Sequence, residues 1–219
     1  MSEFEIKKKL IEYLLKKDIH QIIVPEVTVG HKSDKNSSVR ADIFAINGEI
    51  SIYEIKSEKD SLVRLSNQIE NYKIYANKVN VVIAEKFLPQ LNLDATIGIY
   101  IIKDNGIIKE IKSAVSTPIN TNNIIEYWLS NELKDFLRGY KGTSKLDKSK
   151  LKTYLKNILT NSQINNATLL MLKNRYSQES HEIRKMMNLN TLIKFPKRGL
   201  QINNNIIPLK EIPFGLIMP

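Results

Sequence analysis

Cysteine is absent from all 219 residues. Its absence excludes disulfides and cysteine-ligated zinc, and it fits a reducing cytoplasm, the expected location. His20, His31 and His181 are scattered and form no metal-ligand spacing. No stretch approaches the roughly 18 continuous apolar residues of a membrane span, so no membrane role is expected. The N-terminal "MSEFEIKKKLIEYLLKK" puts acids first and has no apolar h-region, so it does not read as a secretory signal. No internal repeat is visible. What is present suits folding: 42% of the residues are hydrophobic, enough for a core. The length fits one α/β domain with a smaller module, or one large domain.

The net charge of +10 is unevenly placed. Residues 1–110 carry 16 Lys and Arg against 16 Asp and Glu, whereas residues 111–219 carry 17 against 7. A basic half points to an anionic partner such as nucleic acid. A chain rich in Lys, Asn and Ile can also be basic through genome composition alone.

Hydrophobic periodicity gives the elements. Ile6, Leu10, Leu14 and Leu15 recur at helical spacing over 3–17. Residues 19–29 read as a strand with Pro25 at an edge or bulge. Residues 40–46 and 49–56 form a hairpin around Asn47-Gly48. Residues 60–78 read as a helix, with Ser57 and Asp60 as a capping box at its entrance. Strands follow at 79–85 and on both sides of Asn105-Gly106. A composition change at 116–123 suggests a linker, and helical patterns then cover 124–138, 147–160 and 163–187. The apolar tail after Arg198 reads as a small hairpin. The expected fold is α/β, a mixed sheet flanked by helices over 1–115, followed by a mainly helical basic module over 120–219.

The stretch "EISIYEIK" carries the chemistry. Residues two apart on a strand share a face, so Ile50, Ile52, Glu54 and Lys56 line one side. Two charges therefore continue an apolar face, which is costly unless they reach solvent or find a partner. Asp42 begins the preceding hairpin strand and can sit beside Glu54. Two carboxylates and the Ile55 carbonyl suit a hard cation such as Mg²⁺, and a lysine beside them can stabilise negative charge. A surface salt bridge at a strand end is the plainer alternative. On the next helix Asp60, Arg64, Gln68 and Tyr72 lie four apart and form one stripe. Capping, solvent and core packing are the plainer roles for Asp60, Arg64 and Tyr72.

These residues together resemble the PD-(D/E)xK nuclease superfamily, in its RecB-like and resolvase-like branch. Asp42 matches the motif aspartate, with "AD" in place of "PD". Glu54 and Lys56 match the ExK pair, and Gln68 and Tyr72 match the QxxxY helix motif. "EIKSEKDSLVRLSNQIENY", Arg40 before Ala41-Asp42, Glu26 and "WLSNEL" are also similar to a largely uncharacterised family of bacterial and phage proteins.

The resemblance implies a restriction-endonuclease-like fold and Mg²⁺- or Mn²⁺-dependent phosphodiester hydrolysis of DNA, in repair, phage replication or defence. Asp42 and Glu54, with the Ile55 carbonyl, would bind metal, and Lys56 would position the nucleophile. Gln68 would steady the site with Tyr72 beneath it. An upstream acid is expected to join them, Glu26 first and Glu12 second. A homodimer or a partner protein is a further implication. Arg40 and Arg64 are candidate nucleic-acid contacts near the site. Lys145, Lys148, Lys150, Lys152, Lys194, Lys197 and Arg198 are candidates for gripping phosphates in the basic half. A non-catalytic DNA-binding protein and a protein-interaction or inhibitor module are the competing readings.

Overall fold

The computed structural model describes residues 1–30, 39–195 and 206–212. Lys197, Arg198 and most of the expected tail hairpin lie outside them; of the tail, a 3₁₀ turn at Leu209–Glu211 is described. Contacts divide the chain into two units. One is Met1–Ile119 with the helical stretch from Glu179 onward; the other is centred on Asn120–Gln178. The sequence reading places all of 120–219 in one module, whereas the contacts group the stretch from Glu179 with the sheet.

Helix α1 (Glu3–Lys17) starts at Ser2, whose hydroxyl accepts from the Glu5 N–H while the Glu5 carboxylate accepts from the Ser2 N–H at 2.7 Å. This reciprocal cap satisfies two donors that a helix start leaves open. Glu3 and Glu5 in the first turn and Lys16 and Lys17 in the last complement the helix dipole. Ile6, Leu10, Ile11 and Leu14 are buried, and Lys7 is buried with them.

Six strands follow: β1 (Ile22–Val29), β2 (Val39–Ile46), β3 (Ile50–Lys56), β4 (Lys78–Ala84), β5 (Gly98–Ile102) and β6 (Ile108–Lys112). They lie in sequence order, β1 and β6 outermost. β1, β2 and β3 are antiparallel neighbours, β3, β4 and β5 run parallel, and β6 is antiparallel to β5. The sheet is mixed, as expected from the sequence. The β2–β3 loop holds three residues between the paired Ile46 and Ile50, and Gly48 takes φ 71°, a left-handed conformation that glycine adopts without a Cβ clash. Pro25 lies on the outermost strand β1, where a missing N–H is tolerated.

α1 covers one face. Its apolar residues join Ile43, Ala45, Tyr53, Ile55, Val82, Tyr100 and Ile183 in one cluster. By strand alternation Phe44, Ile52 and Glu54 face the other way. There lies α2 (Leu65–Tyr75), whose Tyr72 reaches Glu54. Helices thus cover both faces of the sheet.

α2 begins later than the sequence suggests. Ser57 N–H and Oγ–H both donate to Asp60 Oδ2, at 2.7 and 2.6 Å, but these bonds close a separate turn. The helix itself starts after Arg64, which has no side-chain cap bond. Asp60 is therefore off the helix, and the stripe shortens to Gln68 and Tyr72.

The second unit contains α3 (Thr121–Ile124), α4 (Ser130–Phe136), α5 (Lys148–Ile158) and the first part of α6 (Asn161–Asn188). Trp128 is fully buried, and its indole N–H donates to Thr168 Oγ1 at 2.8 Å. Arg175 donates to Glu132 and, at 2.7 Å, to the Tyr127 carbonyl, while Glu132 also accepts the Leu129 N–H at 2.8 Å. The largely buried guanidinium is tolerated because its Nε and Nη2 meet the Glu132 carboxylate and Nη2 also meets the Tyr127 carbonyl. Among the described residues no helix is long and apolar enough to cross a membrane.

Candidate active site

Glu26, Asp42 and Glu54 sit at one level of three neighbouring strands. The β1–β2 register that pairs Val27 with Ala41 puts Glu26 opposite Asp42. The β2–β3 register that pairs Ile43 with Tyr53 puts Asp42 level with Glu54, but strand pairing stops one step short of them. In the gap, the Ile55 N–H donates to Asp42 Oδ2 at 2.8 Å. The N–H and C=O of one strand residue point to the same side, so Ile55 turns its carbonyl toward this gap as well.

Every residue of β3 is buried, including Glu54 at 3% and Lys56 at 7% exposure. The charges that break the apolar pattern are therefore inside, and they are paired. Glu54 Oε1 accepts from Lys56 Nζ at 2.8 Å and from Gln68 Nε2 at 2.5 Å. Lys56 Nζ also donates to Gln68 Oε1 at 2.9 Å, which settles which end of that amide faces which group. Tyr72 Oη lies 2.6 Å from Glu54 Oε2 and 2.8 Å from the Arg40 carbonyl oxygen. Burial, then the Glu54 charge, pushes the Tyr72 hydroxyl above its ordinary range, so it stays a donor. Asp42, Glu54, Lys56, Gln68 and Tyr72 are thus brought together as the sequence suggests.

Two further residues complete the cluster. Lys7 and Glu3 come from α1, and the sequence reading includes neither. Lys7 is 3% exposed and pairs with Glu3, Glu26 and Asp42, lying 3.1 Å from Asp42 Oδ1. Burial lowers its pKa, but Asp42, Glu26 and Glu3 outweigh that and raise it, so the ammonium stays charged. The signal is in the helical spacing: Lys7 lies four residues before Ile11 and seven before Leu14, on the buried stripe. Glu26 has φ 59°, uncommon for a residue with a Cβ, and its carboxylate also takes Arg40 Nε at 2.8 Å. The second upstream choice, Glu12, is exposed on α1; the acid that α1 contributes is Glu3.

Other candidates are more scattered. Arg40 is largely exposed and Arg64 is exposed. Lys145, Lys150 and Lys194 are exposed, and Lys148 is half-buried. Lys152 is buried and paired with Glu126, so a phosphate contact would first have to break that pair.

The oxygen donors suit a hard cation. Asp42 has one protein donor on each oxygen, and Glu54 has one on Oε2, so each of these oxygens keeps a lone pair for a cation. Burial and then the charge of Glu54 raise the Asp42 carboxyl to about 6, against the pull of Lys7 and the Ile55 N–H. Two carboxylates that resist ionising together are a ready place for a divalent ion. A raised carboxyl pKa gives the folded state an advantage below about pH 4 that is lost as pH rises through about 6. Asp42→Asn, which does not titrate, should therefore gain stability relative to wild type between pH 4 and pH 7. Urea denaturation at both values checks this, and a pH-independent gap would return Asp42 to the ordinary range.

A family model described as Bacteriophage P4 protein cII matches residues 1–194. The chain belongs to the Bacteriophage P4 protein cII family. A relative, Protein cII of Enterobacteria phage P4, is 31% identical over an alignment of 192 residues that covers 83% of this chain and 70% of the relative. Among solved structures, the SPO1766 protein of unknown function from Silicibacter pomeroyi superposes with a TM-score of 0.43 at 15% identity, over 56% of this chain and 79% of that one. In this member of the P4 protein cII family the matched span contains Lys7, Glu26, Asp42, Glu54, Lys56, Gln68 and Tyr72.

Proposed function

We propose that the chain is a metal-dependent deoxyribonuclease of the PD-(D/E)xK type with a restriction-endonuclease-like fold. The observation that carries this reading is the convergence of Lys56, Gln68 and Tyr72 on one buried carboxylate, Glu54, level with Asp42. The helix, three strands, helix, strand order, with helices on both faces, supports the fold. Mg²⁺ or Mn²⁺ would be held by Asp42, Glu54 and the Ile55 carbonyl, and when bound it polarises a phosphodiester and acidifies a water. Lys56 orients the attacking water and offsets charge that builds on the phosphate. Gln68 and Tyr72 fix the rotamer of Glu54, so the carboxylate is placed before substrate arrives. Arg40, exposed beside Glu26, is suited to a phosphate contact. The basic second half, through Lys145, Lys150 and the half-buried Lys148, suits the rest of a DNA backbone.

The test is cleavage of labelled linear, nicked and single-stranded DNA with and without Mg²⁺ or Mn²⁺. The same ions should raise the melting temperature, since a ligand that binds only the folded form stabilises it. Asp42→Asn with Glu54→Gln should abolish both effects, and an unchanged thermal shift in that double variant would sink the site. One observation favours a second reading. All four oxygens of Asp42 and Glu54 already have protein donors. A non-catalytic DNA-binding or protein-interaction module could keep such a self-satisfied network for stability. DNA binding without cleavage or thermal shift would favour it.

A further inference from the structure

Glu3, Glu26 and Asp42 each offer a carboxylate oxygen, all within 4.8 Å of one another. Three carboxylates so close would ordinarily demand a cation. Here a side chain supplies it. The Lys7 ammonium pairs with all three. An ammonium has three N–H donors, so three acceptors use its full capacity. At 3% exposure Lys7 could reach water only by withdrawing from Asp42 and leaving Glu26 with Arg40 alone. Asp42 is the shared member: Oδ1 turns to Lys7 and Oδ2 to the Ile55 N–H, in the gap beside Glu54.

We infer that Lys7 is a tethered cation that fills the Glu3–Glu26–Asp42 cluster, excludes a second divalent ion and leaves the site with a single ion between Asp42 and Glu54. The inference rests on the metal reading of Asp42 and Glu54 for its ion count, but not for the role of Lys7. It makes Lys7 a positioning residue and keeps Glu26, the upstream acid, as a partner of the ammonium and not of the metal. It also assigns Glu26 a task consistent with its left-handed backbone, which is to face the ammonium across the β1–β2 pair.

The test counts Mn²⁺ by isothermal titration and electron paramagnetic resonance on the full chain, without nucleic acid. Wild type should take one ion, Lys7→Met two, and Lys7→Met with Glu26→Gln one again. Should Lys7→Met not fold alone, Mn²⁺ in the refolding buffer should rescue it, and the rescue should be lost in the double variant. Two ions in wild type, no additional ion in Lys7→Met, or no rescue by Mn²⁺ would overturn the inference. If wild type takes none and Lys7→Met takes one, Lys7 keeps its role and the nuclease reading fails. If neither takes any, both fail.

Discussion

On the proposed nuclease reading, Lys56→Ala is expected to cut DNA about 10²–10⁴-fold more slowly than wild type, the usual range for a positioned proton-handling group. It should still bind Mn²⁺. The argument is geometric. Lys56 Nζ touches Glu54 Oε1 at 2.8 Å and Gln68 Oε1 at 2.9 Å, so its removal takes away the cation paired with Glu54 at the proposed metal site. Glu54 keeps Tyr72 and Gln68 as donors and stays in its rotamer. Removing the ammonium also frees a lone pair on Oε1, so metal affinity should hold or rise. The measurement is single-turnover cleavage beside Mn²⁺ titration and a melting curve. Wild-type rates in a folded Lys56→Ala protein would make Lys56 a structural counter-ion.

Glu132→Ala is expected to destabilise the second unit by about 3–5 kcal/mol, the cost of stranding a buried charge. Glu132 is 7% and Arg175 15% exposed at the side chain. The loss also frees the Leu129 N–H at the start of α4. Trp128 is the single tryptophan of the chain, and it is buried in this unit, so its fluorescence in urea reports this unfolding. Replacing both partners, Glu132→Leu with Arg175→Met, should recover most of the loss, because two apolar groups of similar volume need no countercharge. A cost under about 1 kcal/mol for Glu132→Ala would class the pair with ordinary surface bridges.

How legible all this is in the sequence depends on the range of the signal. α1, the β2–β3 hairpin and β4 are set by local period and turn chemistry, and they stand within a few residues of expectation. The start of α2 is not legible locally, because Ser57 and Asp60 form the same bonds whether a helix or a separate turn follows. In the site, Asp42, Glu54, Lys56, Gln68 and Tyr72 were legible as a spaced motif on two strands and a helix. Lys7 was not, because a charge on an apolar stripe reads as its solvated border until its partners, on strands 19 and 35 residues away, are known. Lys152 fails for the same reason. Its partner Glu126 lies 26 residues back, and nothing local distinguishes a paired lysine from a solvated one.

The outer edge of β1 has a consequence for the fate of the chain in solution. An outermost strand is a template on which a foreign strand can grow, through its free N–H and C=O groups. β1 is poorly suited to that role. Pro25 has no N–H to offer, and Glu26 turns the backbone out of the extended form. Ser180 takes the Ile23 N–H at 3.0 Å, and Arg184 takes the Gln21 carbonyl just before the strand. On the opposite margin β6 places Lys109, Glu110 and Lys112 among five residues. The backbone kink at Glu26 therefore also guards the sheet against edge-to-edge polymerisation, and Glu26→Val, whose β-branched side chain disfavours a positive φ and favours extended backbone, would straighten this edge and open it to strand addition.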